Sequence, residues 1–439
     1  MTLGIIEIND AGIQVATPGK IIATSPGFAV MDGERLMVGS EALENARLLP
    51  RWTNNRFWNK LNTDPIANST DVVRHHADLA LAHLESLWLP LKKDVDSVIL
   101  LVPAFYTQSE LGLLLGIARE CGIPVKGVAD SSLMAASDQI LESLTLHLDI
   151  HLHRITLTNL SSGKTLNRKN VTTVTETGIF TLWDRWANMI ADQFIQTSRF
   201  DPMHQAISEQ ALFNQLPLWI EQLGDSRGKT FELNLAGVNH TVSVSADQLM
   251  SACAQIYPQI VQFIRSEAKN RDSVTLLLSH RFAGFPGLKD SLGLIPSLDL
   301  IELDPMQSIT SAFAHADKII PDGNAITHIV NLPISHQADE DQTPLRVSNS
   351  SRATHLLKGN HATAIGKAFQ LSKDLGDGIR QDPHNPVCTL YYRGSELYAD
   401  VHMADILKIN GEMQASQSIL KSGDILSIGE HNITLISVA

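Results

Sequence analysis

The sequence predicts an α/β body followed by a small all-β module, and three observations carry that reading. Apolar segments of strand length alternate with helical patterns over residues 1–335. Hydrophobic residues make up 44% of the chain against 18% charged, which is enough to fill sizeable cores and too little charge for a disordered chain. From residue 354 the pattern changes to short runs punctuated by Asn410-Gly411, Ser422-Gly423 and Gly429-Glu430, as expected of a β-sandwich. With 439 residues the chain exceeds one ordinary domain, and the polar stretch 336–353 reads as the linker between the two parts.

Taken in order, Gly4 to Ile8 and Gly12 to Ala16 flank Asn9-Asp10-Ala11, the pattern of a hairpin. A second hairpin turns at Asp32-Gly33-Glu34-Arg35. Helical spacing runs from about Ser69 to Leu89, with Ser69-Thr70 as the cap candidate. Ser97 to Val102 is continuously apolar, as a buried strand is, and ends at Pro103. Thr107 and Glu110 form a capping box for the next helix, which Gly122 and Pro124 stop before a strand at Val125 to Val128. This is a strand-helix-strand unit and implies a parallel pair. His147 to Leu157 alternates with period two and reads as one strand. Phe231 to Val244 reads as a hairpin around Gly237, and Ser245 caps a helix kinked at Pro258. A strand at Val274 to Leu278, a loop at Phe282 to Gly287 and a helix near Met306 to Ala316 complete the body.

Several function classes fall away on composition. With 47 acidic against 34 basic side chains the net charge is −13, which argues against nucleic acid or an anionic membrane as the main partner. No apolar run approaches the roughly 20 residues of a membrane helix. Cys121, Cys253 and Cys388 are too widely spaced for a disulfide framework or a paired-cysteine metal motif. The opening residues carry Glu7 and no basic segment, so the expectation is a mature, cytoplasmic chain. No Gly-x-Ser-x-Gly elbow supports a catalytic triad.

Three stretches together resemble the nucleotide-binding domain of the DnaK-type heat-shock chaperones, within the actin and hexokinase superfamily. They are Val98 to Tyr106 with the helix and strand that follow, Asp32-Gly33-Glu34-Arg35 with Val38-Gly39, and the hairpin-helix-strand run from Phe231 to Leu278. The resemblance spans roughly residues 1–320 and implies a two-lobed actin-like ATPase fold with ribonuclease H-like lobes. It also implies ATP or ADP with Mg2+ in the cleft between them. The phosphate turns of that family are glycine-rich so that backbone N–H groups reach the oxygens without a Cβ in the way. Here the first turn reads Glu7-Ile8-Asn9-Asp10-Ala11, and Asp10 would put negative charge beside the phosphates. The second reads Asp149-Ile150-His151-Leu152-His153-Arg154, with every glycine replaced. Ser279-His280 stands at the adenosine-side Gly-Gly, Gly284-Phe285-Pro286-Gly287 keeps a nearby turn, and Ala129-Asp130-Ser131-Ser132 matches the Asn-Glu-Pro-Thr segment. The candidate nucleotide-binding residues are therefore Glu7, Asn9, Asp130, Asp149, His151, Arg154, His280 and Gly284.

The carboxylates Glu7, Asp130 and Asp149 could hold a magnesium ion and attacking water, or line a repurposed cleft. The missing glycines favour the second reading, leaving at most weak nucleotide binding. A rival reading takes His147, Asp149, His151 and His153 as one strand face able to hold zinc, making a metal-dependent enzyme. Trp183 and Trp186 read as core packing in a helical segment. At the C-terminus, Ile365-Gly366-Lys367, Ile409-Asn410-Gly411 and Leu420 to Gly429 resemble a forkhead-associated domain. Its phosphothreonine-reading arginine is Lys367 here, and no Ser-Arg-x-His follows. Lys367 and Asn410 are the candidate partner-binding residues. The expected function is a chaperone-like pseudo-ATPase acting as an interaction or regulatory adaptor for protein partners. The rivals are a slow working ATPase that cycles between open and closed lobes, and the metal enzyme.

Overall fold

The computed structural model describes residues 2–333 and 353–436, apart from 34, 67, 68, 72, 140–143, 164, 224–226, 269–272, 324, 359, 360, 367, 376–378, 394, 395, 414–416 and 430. The chain divides into two compact units, Met1–His336 and Gln337–Ala439. The expected linker at 336–353 falls outside the described residues except for Ala353.

The first unit is mixed α/β. Its first half runs β1 (Leu3–Glu7), β2 (Ile13–Thr17), β3 (Lys20–Ser25), β4 (Ala29–Asp32), β5 (Arg35–Val38), α1 (Gly39–Leu43), β6 (Thr53–Asn54), α2 (His76–Trp88), β7 (Ser97–Val102), α3 (Gln108–Glu120), β8 (Val125–Asp130) and α4 (Ser131–Ala136). Its second half runs β9 (Leu144–Ile150), β10 (Arg154–Ser161), β11 (Thr165–Thr175), α5 (Ile179–Ser198), α6 (Ala206–Leu223), β12 (Gly228–Leu235), β13 (Val238–Ser245), α7 (Ala246–Ala252), α8 (Tyr257–Glu267), β14 (Val274–Leu278), α9 (Leu288–Gly293), β15 (Leu298–Glu302), α10 (Gln307–Ala314) and α11 (Ala316–Ile319). Each half builds a sheet on the same plan. The orders are β3-β2-β1-β7-β8 and β11-β10-β9-β14-β15. In each, three antiparallel strands are extended by two parallel ones. In each, a helix follows the last parallel strand, α4 after β8 and α10 after β15, and these two helices pack on each other.

The parallel strands explain themselves. Val98 to Val102 are fully buried, and Val274 to Leu278 likewise, because helices cover both faces of a parallel sheet. A core formed by Ile5, Ile99 and Leu101 from one sheet with Leu160, Leu166 and Leu277 from the other joins the halves, with Leu133 and Ile309 of the two central helices among them. The unit ends in a crosspiece. β16 (His328–Ile329) pairs with β8 and β17 (Asn331–Pro333) with β11, so that only Val330 separates a strand of one sheet from a strand of the other.

Several local features depart from the sequence reading. The helix expected from Ser69 begins at His76, and Asp78 sets its start by accepting the N–H groups of Arg74 and His75 at 2.7 and 3.2 Å. Thr70 instead closes a turn by accepting the Val73 N–H. His147 to Leu157 is two strands: the alternating pattern continues through a tight turn at residues 151–153 because the turn is itself buried. The helix expected to bend at Pro258 breaks into α7 and α8, with Pro258 in the first turn of α8, where its missing N–H costs nothing. Expected features at Thr107/Glu110, Ser245 and the Ala236-Gly237 turn form as the residues direct. Trp186 is fully buried and Trp183 partly so, both in a core that also holds Leu148, Ile190 and Phe231.

The second unit is all-β. Its strands are β18 (His355–Lys358), β19 (His361–Ala364), β20 (Ala368–Leu371), β21 (Cys388–Arg393), β22 (Glu396–Val401), β23 (Leu407–Ile409), β24 (Glu412–Met413), β25 (Ser418–Leu420), β26 (Ile425–Ile428) and β27 (His431–Ile436). They form a six-stranded sheet, β19-β18-β27-β26-β23-β24, and a four-stranded one, β20-β21-β22-β25. Leu356, Leu426 and Leu435 from the first share one core with Phe369, Leu390 and Leu397 from the second.

One buried polar contact tests the packing of the first half. The Trp58 indole N–H can only donate, so His83 accepts it at Nδ1 (3.0 Å) and its Nε2–H donates to Ser25 Oγ (2.7 Å). Burial holds this ring neutral, with its pKa down to about 3. The protonated Nε2 faces the hydroxyl, so His83 cannot act as a base towards Ser25. Replacing it, His83→Ala, removes a buried ring and orphans the Trp58 donor, and is expected to cost about 3 kcal/mol in urea unfolding. A loss below about 1 kcal/mol would show that the pair is dispensable.

Candidate functional site

The candidate residues converge where the β1–β2 turn of the first half meets the β9–β10 turn of the second. Asn9 Nδ2 donates to Asp149 Oδ2 (3.0 Å) and to the Ile150 carbonyl (3.2 Å). In return, Asp10 Oδ1 accepts the Leu152 N–H at 2.8 Å. The turns are also closed internally. Asn9 accepts the N–H groups of Ala11 and Gly12, His151 donates its N–H to the Arg154 carbonyl, and Ile150 donates to Asp149 Oδ1. The outward carbonyls of His151 and Leu152 accept the first N–H groups of α5, from Ile179 and Phe180. Gly178 permits that approach, since a Cβ there would strike both carbonyls. Asn9, Asp10, Asp149, Ile150, His151 and Leu152 are all buried, and Ala11, Arg154 and Phe180 partly so.

The centre of the site is ionic. Arg281, just beyond β14, places Nη2 at 2.9 Å from Glu7 Oε2 and Nη1 at 3.6 Å from Asp149 Oδ1, all three side chains being less than a tenth exposed. Burial alone would raise the Asp149 carboxyl. The Arg281 guanidinium, then His151 and His147, outweigh burial and hold it well below the ordinary carboxylate range. Burial likewise opposes the charge on Arg281, and Glu7 and Asp149 more than compensate, raising its pKa. His151 lies between the turns, with Nδ1 3.6 Å from Asp10 and Nε2 3.9 Å from Asp149, and its ring stands edge-on to Phe105. His147, one turn of the pleat below Asp149, is kept neutral by burial against the pull of Asp149, Asp130 and Glu7.

The remaining candidates surround this centre. Asp130 caps α4 through the Leu133 N–H (3.0 Å) and pairs with Arg168 at 2.7 Å. Arg154 donates to Asn59 Oδ1 and lies over the Phe105 ring at 3.9 Å. His280 is held neutral by burial and by Arg281, its pKa down to about 4. Gly284 takes positive φ beside the backbone of α6. The four residues of the supposed zinc face separate: His153 turns to Asn55, while His151 serves the two turns. Among the described residues, no group of three or more His, Cys, Asp or Glu could hold a metal ion.

Three residues matter that the sequence pattern did not single out. Arg281 carried no signal beyond a charge three residues after the mainly apolar strand Val274–Leu278. Arg47 stacks on Phe213 and Phe180 and pairs with Asp184 and Glu209, tying the segment after α1 to α5 and α6. Arg56 adds a forked contact to Glu176.

In the second unit Lys367 lies outside the described residues. Asn410 has φ of +53° and is occupied within the fold: it donates to Asp424 Oδ1 and accepts the Ile425 N–H, both at 2.9 Å. Among the described residues no helix is long and apolar enough to cross a membrane. The chain matches no protein-family model and no curated protein.

Two expectations follow. Arg281→Met leaves Glu7 and Asp149 buried without a counter-charge and should cost about 3–5 kcal/mol in urea unfolding; a cost under 1 kcal/mol would mean that the guanidinium does not balance them. The buried histidines set the pH dependence. His280 in the folded chain binds its proton only near pH 4, whereas the unfolded chain binds it near 6.5, so its contribution is complete above about 6.5 and is lost as pH falls towards 4. The slope is up to about 1.4 kcal/mol per pH unit for each such histidine. Asp149 loses its contribution only below the ordinary carboxylate range, under that window. His280→Asn should flatten the stability profile between pH 6.5 and 5; an unchanged slope would show that His280 is charged when folded.

Proposed function

We propose that the chain is a chaperone-like pseudo-ATPase: an actin-like body whose nucleotide cleft is closed by its own side chains, joined to a forkhead-associated-like sandwich and acting as an adaptor for protein partners in a bacterial-type cytoplasm. The shared strand order of the two sheets, each followed by a helix at their junction, fits two ribonuclease H-like lobes. The short motifs quoted from residues 1–320 point the same way.

The observation that carries the reading is the state of the turn amides. A phosphate-binding turn works by presenting N–H groups with nothing else to bond. Here the N–H groups of Ala11, Gly12, Ile150, His151 and Leu152 all have acceptors inside the protein. Asp10 offers Leu152 the negative oxygen that a phosphate would bring, and Arg281 provides the positive charge that a metal would supply between Glu7 and Asp149. The body is, in effect, liganded by itself. A slow working ATPase would need these contacts to part and both turns to refold around the nucleotide. A zinc enzyme has less support, since His151 and His153 serve different partners.

The sandwich fits an interaction role. With Asn410 engaged in holding the β23–β24 and β25–β26 turns together, contacts to a partner fall to the surrounding loops.

Thermal unfolding with and without millimolar Mg-ATP or Mg-ADP tests the proposal. A ligand at a hundred times its Kd would add about 2.7 kcal/mol of stability. The expected result is no change in midpoint. A clear upward shift, abolished by Asp149→Asn, would instead place a working nucleotide site between the turns.

A further inference from the structure

We propose that the open face of the four-stranded sheet in the second unit is a docking surface for a proline-rich, polyproline II segment of a partner protein. Strands β20-β21-β22-β25 turn Phe369, Leu390, Leu397 and Leu420 inward to the core, so the alternate residues face outward. The register lines up Ala368, Tyr391, Tyr398 and Ile419 as one row across all four strands. The two half-buried tyrosine rings stack, with centroids 6.0 Å apart and planes 21° from parallel. Ala368 is exposed at one end of the row, and Ile419, 52% exposed, at the other. This apolar row has no use in the sandwich's own core, which lies on the other side of the sheet.

The chemistry of the row selects the occupant. Gln417 donates from Nε2 to Asp400 Oδ1 (2.9 Å) and to the Tyr391 hydroxyl, so that oxygen accepts and its own hydrogen is left to donate outward. Thr389 and His402 are paired with each other at 2.8 Å. The backbones of β21 and β22 are engaged by strands on both sides. What the face offers is therefore aromatic surface with a hydroxyl donor beside it. A polyproline II segment matches both: its prolines have no N–H to leave unpaired, its carbonyls carry no internal hydrogen bonds, and its rings stack on tyrosine. The row itself is uncharged. The charges beside it, Asp400 on one side and the Arg393–Glu396 register pair on the other, include both signs and select neither an acidic nor a basic partner.

Size and spacing agree. Neighbouring strands lie about 4.8 Å apart, so the row is about 14 Å long. Polyproline II rises about 3.1 Å per residue with three residues per turn, which sets residues i and i+3 about 9.3 Å apart, close to the roughly 9.6 Å of two strand spacings. A segment laid across the strands therefore brings one proline over Ala368 beside Tyr391, and the next on that side over Tyr398 beside Ile419. A helix would need an apolar patch two or three side chains wide, and a second copy of this chain about 800 Å² of buried surface on each partner. A single row of four side chains provides neither. Such a partner suits the adaptor reading proposed above and depends on it only for its role: the row uses neither the turns of the first unit nor Asn410.

Fluorescence polarisation of a labelled decaproline peptide against the full-length protein is the test, with an alanine-rich peptide of equal length as the control. Saturable binding of decaproline, and not of the control, is expected. Ile419→Lys, at an exposed position, and Tyr391→Phe, which removes only the donor, should each weaken it about fivefold while leaving the unfolding midpoint in place. High salt should not change the affinity. No binding at millimolar peptide, equal affinity for the variants and the parent chain, or a strong salt dependence would overturn the proposal. So would Ile419-dependent binding of oligosaccharides in place of decaproline, or self-association that Ile419→Lys abolishes. A nucleotide-induced shift in unfolding would refute the pseudo-ATPase and leave the peptide result standing, so the two failures are distinguishable.

Discussion

The body of this protein depends on two carboxylates and a guanidinium held together out of water. Glu7 belongs to the first sheet, Asp149 to the second, and Arg281 reaches both from the end of β14. A buried carboxylate is tolerable only with a counter-charge and hydrogen bonds at hand. The turns provide the hydrogen bonds: Asn9 to Asp149, Leu152 to Asp10. Remove the cation and two negative groups face one another in a dry interface; remove the turns and Asp149 loses the Asn9 amide that shares its charge. The closure of the site and the cohesion of the halves are thus one interaction seen from two directions.

That arrangement also decides between conformational regimes. The halves are joined by an apolar core, by Arg47, which is shared between two acids and two aromatic rings, and by the Arg56–Glu176 pair. Ion pairs spread along an interface in this way favour one relative placement of the halves, because each is directional and all are satisfied together. A body meant to open and close every catalytic cycle would keep such contacts few. This one keeps several, and the proposal of an adaptor in place of a cycling ATPase rests in part on them.

Much of the fold was legible in the sequence, for physical reasons. Buried parallel strands announce themselves as apolar runs, unbroken at Val98 to Val102 and interrupted only by Thr275 at Val274 to Leu278, and capping boxes announce helix starts, as at Thr107 and Glu110. What stayed hidden was polar structure made by distant partners. β3 lies at a sheet edge and β17 covers β11 only along Thr165–Asn167, so most of Thr165–Thr175 is open on one side, polar residues are tolerated there, and it carries no strong strand pattern. The turn at His151 looked like strand because it is buried by the other half, which no local window can reveal. The candidate carboxylates were visible one by one. Arg281, which binds two of them, was not, since its partners lie 274 and 132 positions away (281 − 7 and 281 − 149).

The crosspiece at the end of the body carries a mechanical implication. Val330 alone bridges strands anchored in different sheets, and a single extended residue spans only about 3.5 Å. Such a stitch has no slack. Any parting of the halves beyond a few ångströms must first peel His328–Ile329 from β8 or Asn331–Pro333 from β11, one hydrogen bond at a time. Tension on the chain beyond Pro333 would load β17 first, so the seam would come undone from that end.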